Sequence, residues 1–60
     1  MTRQMIILNA VKDGKMSVNC ASRLLNAARF DRAYQAEYIK LALEDDEINA
    51  TLASDLLTAK

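Results

Sequence analysis

The chain contains no proline and a single glycine, Gly14, among its sixty residues. Proline and glycine are the strongest local interruptions of regular backbone structure, so long stretches of this chain have no local reason to leave a helix. Alanine, leucine, arginine, lysine, glutamate, glutamine and methionine dominate the rest, and all of them favour helix. We therefore predict an all-α fold, a compact bundle of three or four short helices in a single domain spanning residues 1–60.

The first helix is predicted from about Arg3 to Lys12. Thr2 can cap its N-terminus, and Gly14 lies just past its end, where a left-handed residue commonly terminates a helix. The apolar run at residues 5–8 also fits a short buried strand. A lone strand would have no partner in this chain, so a helix is favoured.

Two further helical stretches follow. Ser17 or Asn19 can cap a second helix, and Phe30 opens a third stretch of the same period. A break between residues 26 and 31 and one continuous helix over 18–43 both fit the sequence. Apolar side chains recur at helical spacing along both stretches: Val18, Ala21, Leu24, Leu25 and Ala28 in the second, and Phe30, Tyr34, Tyr38 and Leu41 in the third.

An acidic run at residues 44–47 interrupts the apolar pattern. Acidic side chains favour helix N-termini, where they meet the positive end of the helix dipole. We therefore predict a last helix from about Glu47 to Thr58, with Ile48, Leu52 and Leu56 facing inward. No linker, low-complexity tract or repeat is expected in the chain.

The length of the chain makes its own core marginal. A domain of this size buries only about 60% of its unfolded surface, although 52% of its residues are hydrophobic. A single cysteine cannot form a disulfide within the chain, so we predict that self-association completes the fold, as a homodimer or a higher oligomer. An unidentified protein partner is also expected. The predicted interface consists of Phe30, Tyr34, Tyr38, Leu41, Ile48, Leu52 and Leu56.

The side chains that most enzymes use are nearly absent. Without histidine, the usual general base at neutral pH is missing, and Cys20 is predicted to be a small buried residue. Four consecutive carboxylates do not have the alternating spacing of a calcium loop. We expect no catalysis, no cofactor and no metal site.

The predicted location is the cytoplasm. The longest strongly apolar stretch, residues 5–8, is far shorter than the about 20 residues of a membrane span, and it leads into Lys12 and Asp13 rather than a cleavage site. A single free cysteine fits a reducing compartment.

The charges are unevenly distributed along the chain. Residues 1–40 carry seven basic and three acidic side chains, and residues 41–60 carry five acidic and one basic, which gives +4 and −4. The two parts can attract each other within the fold or between subunits. Alternatively, the first part forms a basic binding face and the second an acidic tail element.

The segment VKDGKMSV, followed by ASRLLNAAR up to Arg29, resembles a helix-turn-helix module of the Psq or transposase type. The resemblance covers residues 11–40. It places Asn26 at the turn and implies a recognition helix that starts near Arg29 and enters the major groove of DNA. The polar readers would be Arg29, Arg32 and Gln35.

Two functions are therefore predicted from the sequence. The favoured one is a small regulatory or adaptor protein that acts through protein–protein interaction in a helical oligomer. The alternative is a small dimeric helix-turn-helix transcriptional regulator, so nucleic acid is a less favoured partner. The size and composition are typical of small regulators carried by phages and mobile elements.

Overall fold

A computed structural model describes residues 1–59, and this part of the chain is all-α, as predicted. The chain forms short helices joined by tight turns, and no helix within this range is long and apolar enough to cross a membrane. The helices within residues 1–59 are α1 (Arg3–Lys12), α2 (Val18–Ala27), α3 (Arg32–Glu44) and α4 (Ala50–Thr58).

Every one of these helices begins at a polar side chain that accepts a hydrogen bond from the third backbone N–H of its first turn. Thr2 caps α1 as predicted, with 3.2 Å between Oγ1 and the nitrogen of Met5. Ser17, and not Asn19, caps α2. Asp31 and Asn49 cap α3 and α4, with donor–acceptor distances of 2.7 Å in both cases.

The chain breaks between α2 and α3, so the alternative of one continuous helix over 18–43 is wrong for this structure. The last bonds of α2 tighten into i→i−3 contacts, from Arg29 N–H to the Asn26 carbonyl and from Phe30 N–H to the Ala27 carbonyl. Asp31 then adopts the extended backbone of a helix cap. We call residues 28–31 the joint.

The acidic run does not begin the last helix, which corrects the predicted boundary at Glu47. Glu44 ends α3, and Asp46 takes the left-handed conformation with φ of 58°. Aspartate tolerates this conformation better than most residues do. The Glu47 N–H donates to the Ala42 carbonyl at 2.9 Å and closes the turn. Helix α4 therefore starts later, after the Asn49 cap.

The α1–α2 hairpin (hairpin 1) and the α3–α4 hairpin (hairpin 2) are two copies of one structural unit, offset by 32 residues from Gly14 to Asp46. The prediction that the chain lacks a repeat is wrong. Gly14 and Asp46 are the positive-φ residues of the two turns. The Lys15 N–H donates to the Ala10 carbonyl at 2.8 Å, in the same way that Glu47 donates to Ala42.

The buried side chains follow the same 32-residue offset. Eight of the 25 aligned positions, 3–27 with 35–59, are identical, and the inward positions match throughout. Ile48, Leu52 and Leu56 were predicted at an interface but lie in this core, because the second hairpin buries them against the first. The equivalent positions that are buried in both hairpins are Ile7 and Ile39, Ala10 and Ala42, Met16 and Ile48, Cys20 and Leu52, Ala21 and Ala53, Leu24 and Leu56, and Ala27 and Ala59.

The two hairpins pack as a quasi-two-fold pair. Each helix contacts its partner within the hairpin and one helix of the other hairpin: α2 packs against α3, and α1 packs against α4. These two contacts are equivalent under the repeat. One chain therefore has the arrangement of a small symmetric dimer.

Candidate functional site

Four side chains of the third predicted stretch form an exposed apolar strip on α3 and the joint, which we call the aromatic stripe: Phe30, Tyr34, Tyr38 and Leu41. The exposed fractions are 64% for Phe30, 41% for Tyr34 and 51% for Leu41, whereas Tyr38 is half-buried. The ring centroids lie 4.8 Å apart between Phe30 and Tyr34, and 5.1 Å apart between Tyr34 and Tyr38. The structure thus brings these four predicted residues together.

The two tyrosines of the stripe are linked at their polar ends. Their hydroxyl oxygens lie 3.3 Å apart, within hydrogen-bonding distance. This bond raises the pKa of Tyr34, and the neighbouring Tyr38 and slight burial add to the rise. The ring and hydroxyl of Tyr34 form an amphipathic contact surface.

The stripe borders a groove between α2 and α3, which we call groove A. Tyr38 packs against the core and lines this groove together with Leu41, and Cys20 lies at its inner wall. The cavity measures about 100 Å³. Arg23 Nη2 and Glu47 Oε1 form an ion pair at its rim, 2.9 Å apart.

A second groove, groove B, lies at the equivalent place between α1 and α4, with a cavity of about 240 Å³. Lys15 and Asp55 line it, at the positions that Glu47 and Arg23 occupy in groove A. The charges at both positions are therefore reversed between the grooves. Groove B has no aromatic side chain, because Ile6 stands where groove A has Tyr38.

Cys20 is 2% exposed, as predicted for a small buried residue. Burial raises the pKa of its thiol, Glu47 raises it further, and Arg23 partly opposes this rise. The reactive thiolate is consequently disfavoured in the folded chain. The equivalent position in hairpin 2 is Leu52, which indicates that this site is used for packing.

The residues predicted to contact DNA are placed differently from one another. Gln35 is only 3% exposed and its side-chain nitrogen reaches the Leu24 carbonyl at 3.4 Å, so it does not reach a base from this position. Arg32 donates from Nη2 to the Ala59 carbonyl at 2.9 Å, which ties α3 to the end of α4. Arg29 lies exposed in the joint.

Sequence reasoning missed the residues on which the hairpin pairing depends. Arg3 donates to the side-chain oxygen of Gln35 and, from Nε, to the Leu56 carbonyl at 2.8 Å. Gln35 bonds the Leu24 carbonyl in the same way that Arg3 bonds that of Leu56. The repeat of ASRLL at residue 21 and ASDLL at residue 53 is the signal that would have revealed this equivalence.

Comparison with known proteins gives no significant match among protein-family models, curated proteins or solved structures. The fold and the surface nevertheless define a structural class. The described chain is a small helical bundle of two quasi-equivalent hairpins, with an aromatic stripe on only one of them.

Proposed function

We propose that this chain is a protein–protein interaction module, a small regulatory or adaptor protein of the cytoplasm that self-associates through the aromatic stripe and performs no catalysis. The observation that carries the proposal is the exposure of Phe30, Tyr34 and Leu41 on one strip that runs from the joint along α3. Contiguous exposed apolar surface of this kind marks interaction sites. Aromatic side chains are also the usual anchors of such interfaces.

The edge of the stripe resembles the rim of an interface. Glu37, Lys40 and Glu44 surround Leu41 on its outer side. A polar rim around an apolar centre is the common arrangement in protein–protein contacts. The apolar stripe supplies affinity, and the rim charges select the partner and its orientation.

A second copy of the chain suits this surface. The formal net charge is zero, so two copies do not repel each other. The rim carries both signs on neighbouring turns of one helix, at Glu37 and Lys40. A two-fold contact between stripes pairs unlike charges from the two copies, which is the self-complementarity that an isologous interface requires.

A matched pair of leucines tests the proposal. Leu41 lies in the stripe and is 51% exposed, whereas Leu8 lies on α1 and is 54% exposed. We expect Leu41→Ser to weaken self-association at least about fivefold, the effect of removing an interface side chain worth more than about 1 kcal/mol. Leu8→Ser should leave it unchanged. Sedimentation velocity over a concentration series measures both, and equal association constants for the two variants would contradict the proposal.

DNA binding, the alternative implied by the helix-turn-helix resemblance, has less support from the geometry. Gln35 is buried, and Arg32, although exposed, already bonds the Ala59 carbonyl. Arg29 is exposed in the joint and is the best placed of the three to reach DNA. Fluorescence anisotropy of a labelled duplex at about 50 and 200 mM salt separates the two functions, because phosphate contacts weaken steeply over this range. Strong, salt-sensitive binding that Arg29→Ala removes would favour the DNA-binding function.

A further inference from the structure

The hairpins carry opposite charges. Residues 1–28, which contain hairpin 1, have four basic side chains and one acidic one, or +3. Residues 29–60, which contain hairpin 2, have four basic and seven acidic side chains, or −3. Hairpin 1 is therefore attracted to hairpin 2, and two copies of the same hairpin repel each other.

The contacts between the hairpins do not depend on which chain supplies each of them. They consist of α2 against α3, α1 against α4, the Arg23–Glu47 ion pair, and the bonds that Arg3 and Gln35 make to each other and to a carbonyl of the opposite hairpin. The same contacts form if hairpin 2 comes from a second copy. Exchange of identical elements between copies is a low-cost route to a dimer for this reason.

The joint lacks the feature that ends the helix in each hairpin turn. Gly14 and Asp46 force those turns with positive φ, whereas no residue of the joint has positive φ. Ala28 still has helical angles, φ −63° and ψ −16°. Asp31 leaves the helical region, with φ −106° and ψ 174°, to cap α3.

Straightening the joint therefore joins α2 and α3 into one long helix. The hairpins then lie at opposite ends of that helix and cannot pack against each other within the chain. Each must find the complementary hairpin of a second copy, and short joints favour such exchange.

We propose that the chain forms an exchanged dimer, in which hairpin 1 of one copy packs against hairpin 2 of the other. This dimer forms through the core contacts of the fold and not through contacts between the exposed side chains of two aromatic stripes, so it goes beyond the proposed function. The two modes of association are separable, because stripe contacts form between folded chains and exchange requires the hairpins to come apart.

Cross-linking of two single-cysteine chains detects the exchange. Arg23→Cys and Glu47→Cys, each with Cys20→Ala, place one thiol on each side of groove A. The two chains are mixed, unfolded, refolded together at high concentration and treated with a short bismaleimide. We expect a covalent heterodimer from this sample. Neither chain refolded alone should give a covalent dimer, and chains folded separately and mixed just before cross-linking should give no heterodimer.

The controls decide between the outcomes. No heterodimer after joint refolding would overturn the exchange. A heterodimer of equal yield from separately folded chains would also overturn it, because a surface contact would then explain the cross-link. Adding Leu41→Ser to both chains should leave the cross-link intact. This variant therefore distinguishes loss of self-association through the stripe from loss of hairpin exchange.

Loss of the joint's cap should shift the equilibrium toward the dimer. Asp31→Ala removes the bond to the Tyr34 N–H, which the straightened joint does not use. Loss of a cap destabilises the folded single chain roughly fivefold relative to the exchanged dimer, per chain. Because the dimer contains two chains, its association constant should rise about 25-fold. The matched variant Asn49→Ala removes the cap at a turn that exchange leaves folded, and it should cause no rise. Equal association constants for the two variants, by sedimentation equilibrium after refolding, would contradict the exchange.

Discussion

Arg3 and Gln35 occupy the same position in the two hairpins, and the Arg3 guanidinium donates a hydrogen bond to the Gln35 side-chain oxygen where the hairpins meet. Each residue also bonds a carbonyl of the opposite hairpin, Arg3 that of Leu56 and Gln35 that of Leu24. The repeat equivalent of each acceptor is the other acceptor. This polar cluster therefore lies at the quasi-two-fold axis, where equivalent positions of the two hairpins come face to face.

Removal of Arg3 should destabilise the fold. Arg3→Met leaves the buried oxygen of Gln35 and the Leu56 carbonyl without this donor. An unsatisfied buried polar group costs about 1–3 kcal/mol, and we expect a loss of this size in the free energy of unfolding. Urea denaturation followed by circular dichroism measures it.

The double variant Arg3→Met, Gln35→Leu serves as the control. It replaces both polar partners with apolar groups, which can be nearly neutral, and we expect it to recover much of the lost stability. If Arg3→Met alone is neutral, the cluster does not stabilise the hairpin pairing.

Substitution of the left-handed residue should change the free energy of unfolding in opposite directions in the two turns. Asp46 has φ of 58° and Gly14 has φ of 74°. An L-residue with a side chain is strained in this region, and glycine is not. We therefore expect Asp46→Gly to raise the free energy of unfolding by about 0.5–1 kcal/mol, measured as a shift of the urea midpoint.

Gly14→Ala is the matched test in hairpin 1. A Cβ at this position meets no atom within 4 Å, so the substitution tests backbone conformation without a steric clash. We expect a loss of about 1–2 kcal/mol. A neutral Gly14→Ala variant would mean that the turn does not need the left-handed conformation.

The buried thiol predicts how stability depends on pH. The pKa of Cys20 is raised in the folded chain, mainly by burial, so the unfolded chain ionises first as the pH rises. The unfolded state then binds fewer protons than the native state, and the free energy of unfolding falls. The stabilisation is fully present below the ordinary thiol pKa and is lost as the pH rises through the raised one.

Comparison with Cys20→Ala isolates this effect. Thermal unfolding between about pH 7 and 10 should show a decline in the native chain that is smaller in the variant, because other groups titrate in both. Parallel curves would show that Cys20 does not contribute. Native Cys20 should also react with a maleimide far more slowly than a free thiol does, since only the thiolate attacks.

Local signals were sufficient to predict most of the helices. The Thr2 cap and Gly14 bound α1 as predicted, because each acts on its own turn of the chain. The aromatic stripe followed from the four-residue spacing of Phe30, Tyr34 and Tyr38, which the structure keeps in contact although Phe30 lies in the joint. The start of α4 was mispredicted, because the local preference of acidic residues for helix N-termini is weaker than the left-handed stop at Asp46.

The repeat was harder to recognise, because its two copies differ in charge. Lys15 and Arg23 of hairpin 1 correspond to Glu47 and Asp55 of hairpin 2, so equivalent surface positions carry opposite charges. The equivalence of the two hairpins is visible in their buried residues instead. The inward positions agree because both hairpins fill the same core. Their surfaces differ because solvent-exposed positions are constrained much less by packing.

The sequence by itself determined the class of fold, the two ends of α1 at Thr2 and Gly14, and the makeup of the stripe. It narrowed the cap of α2 to Ser17 or Asn19. These features depend on residues within a few positions of one another, because a cap acts on its own turn of helix and Phe30, Tyr34, Tyr38 and Leu41 recur at helical spacing. Only the tertiary structure decided which apolar residues are core and which remain exposed. Ile48, Leu52 and Leu56 are buried because hairpin 1 covers them, and Gln35 is buried where it bonds Arg3 and Leu24 of hairpin 1. Burial depends on contacts between distant segments, and local spacing does not specify which segments meet.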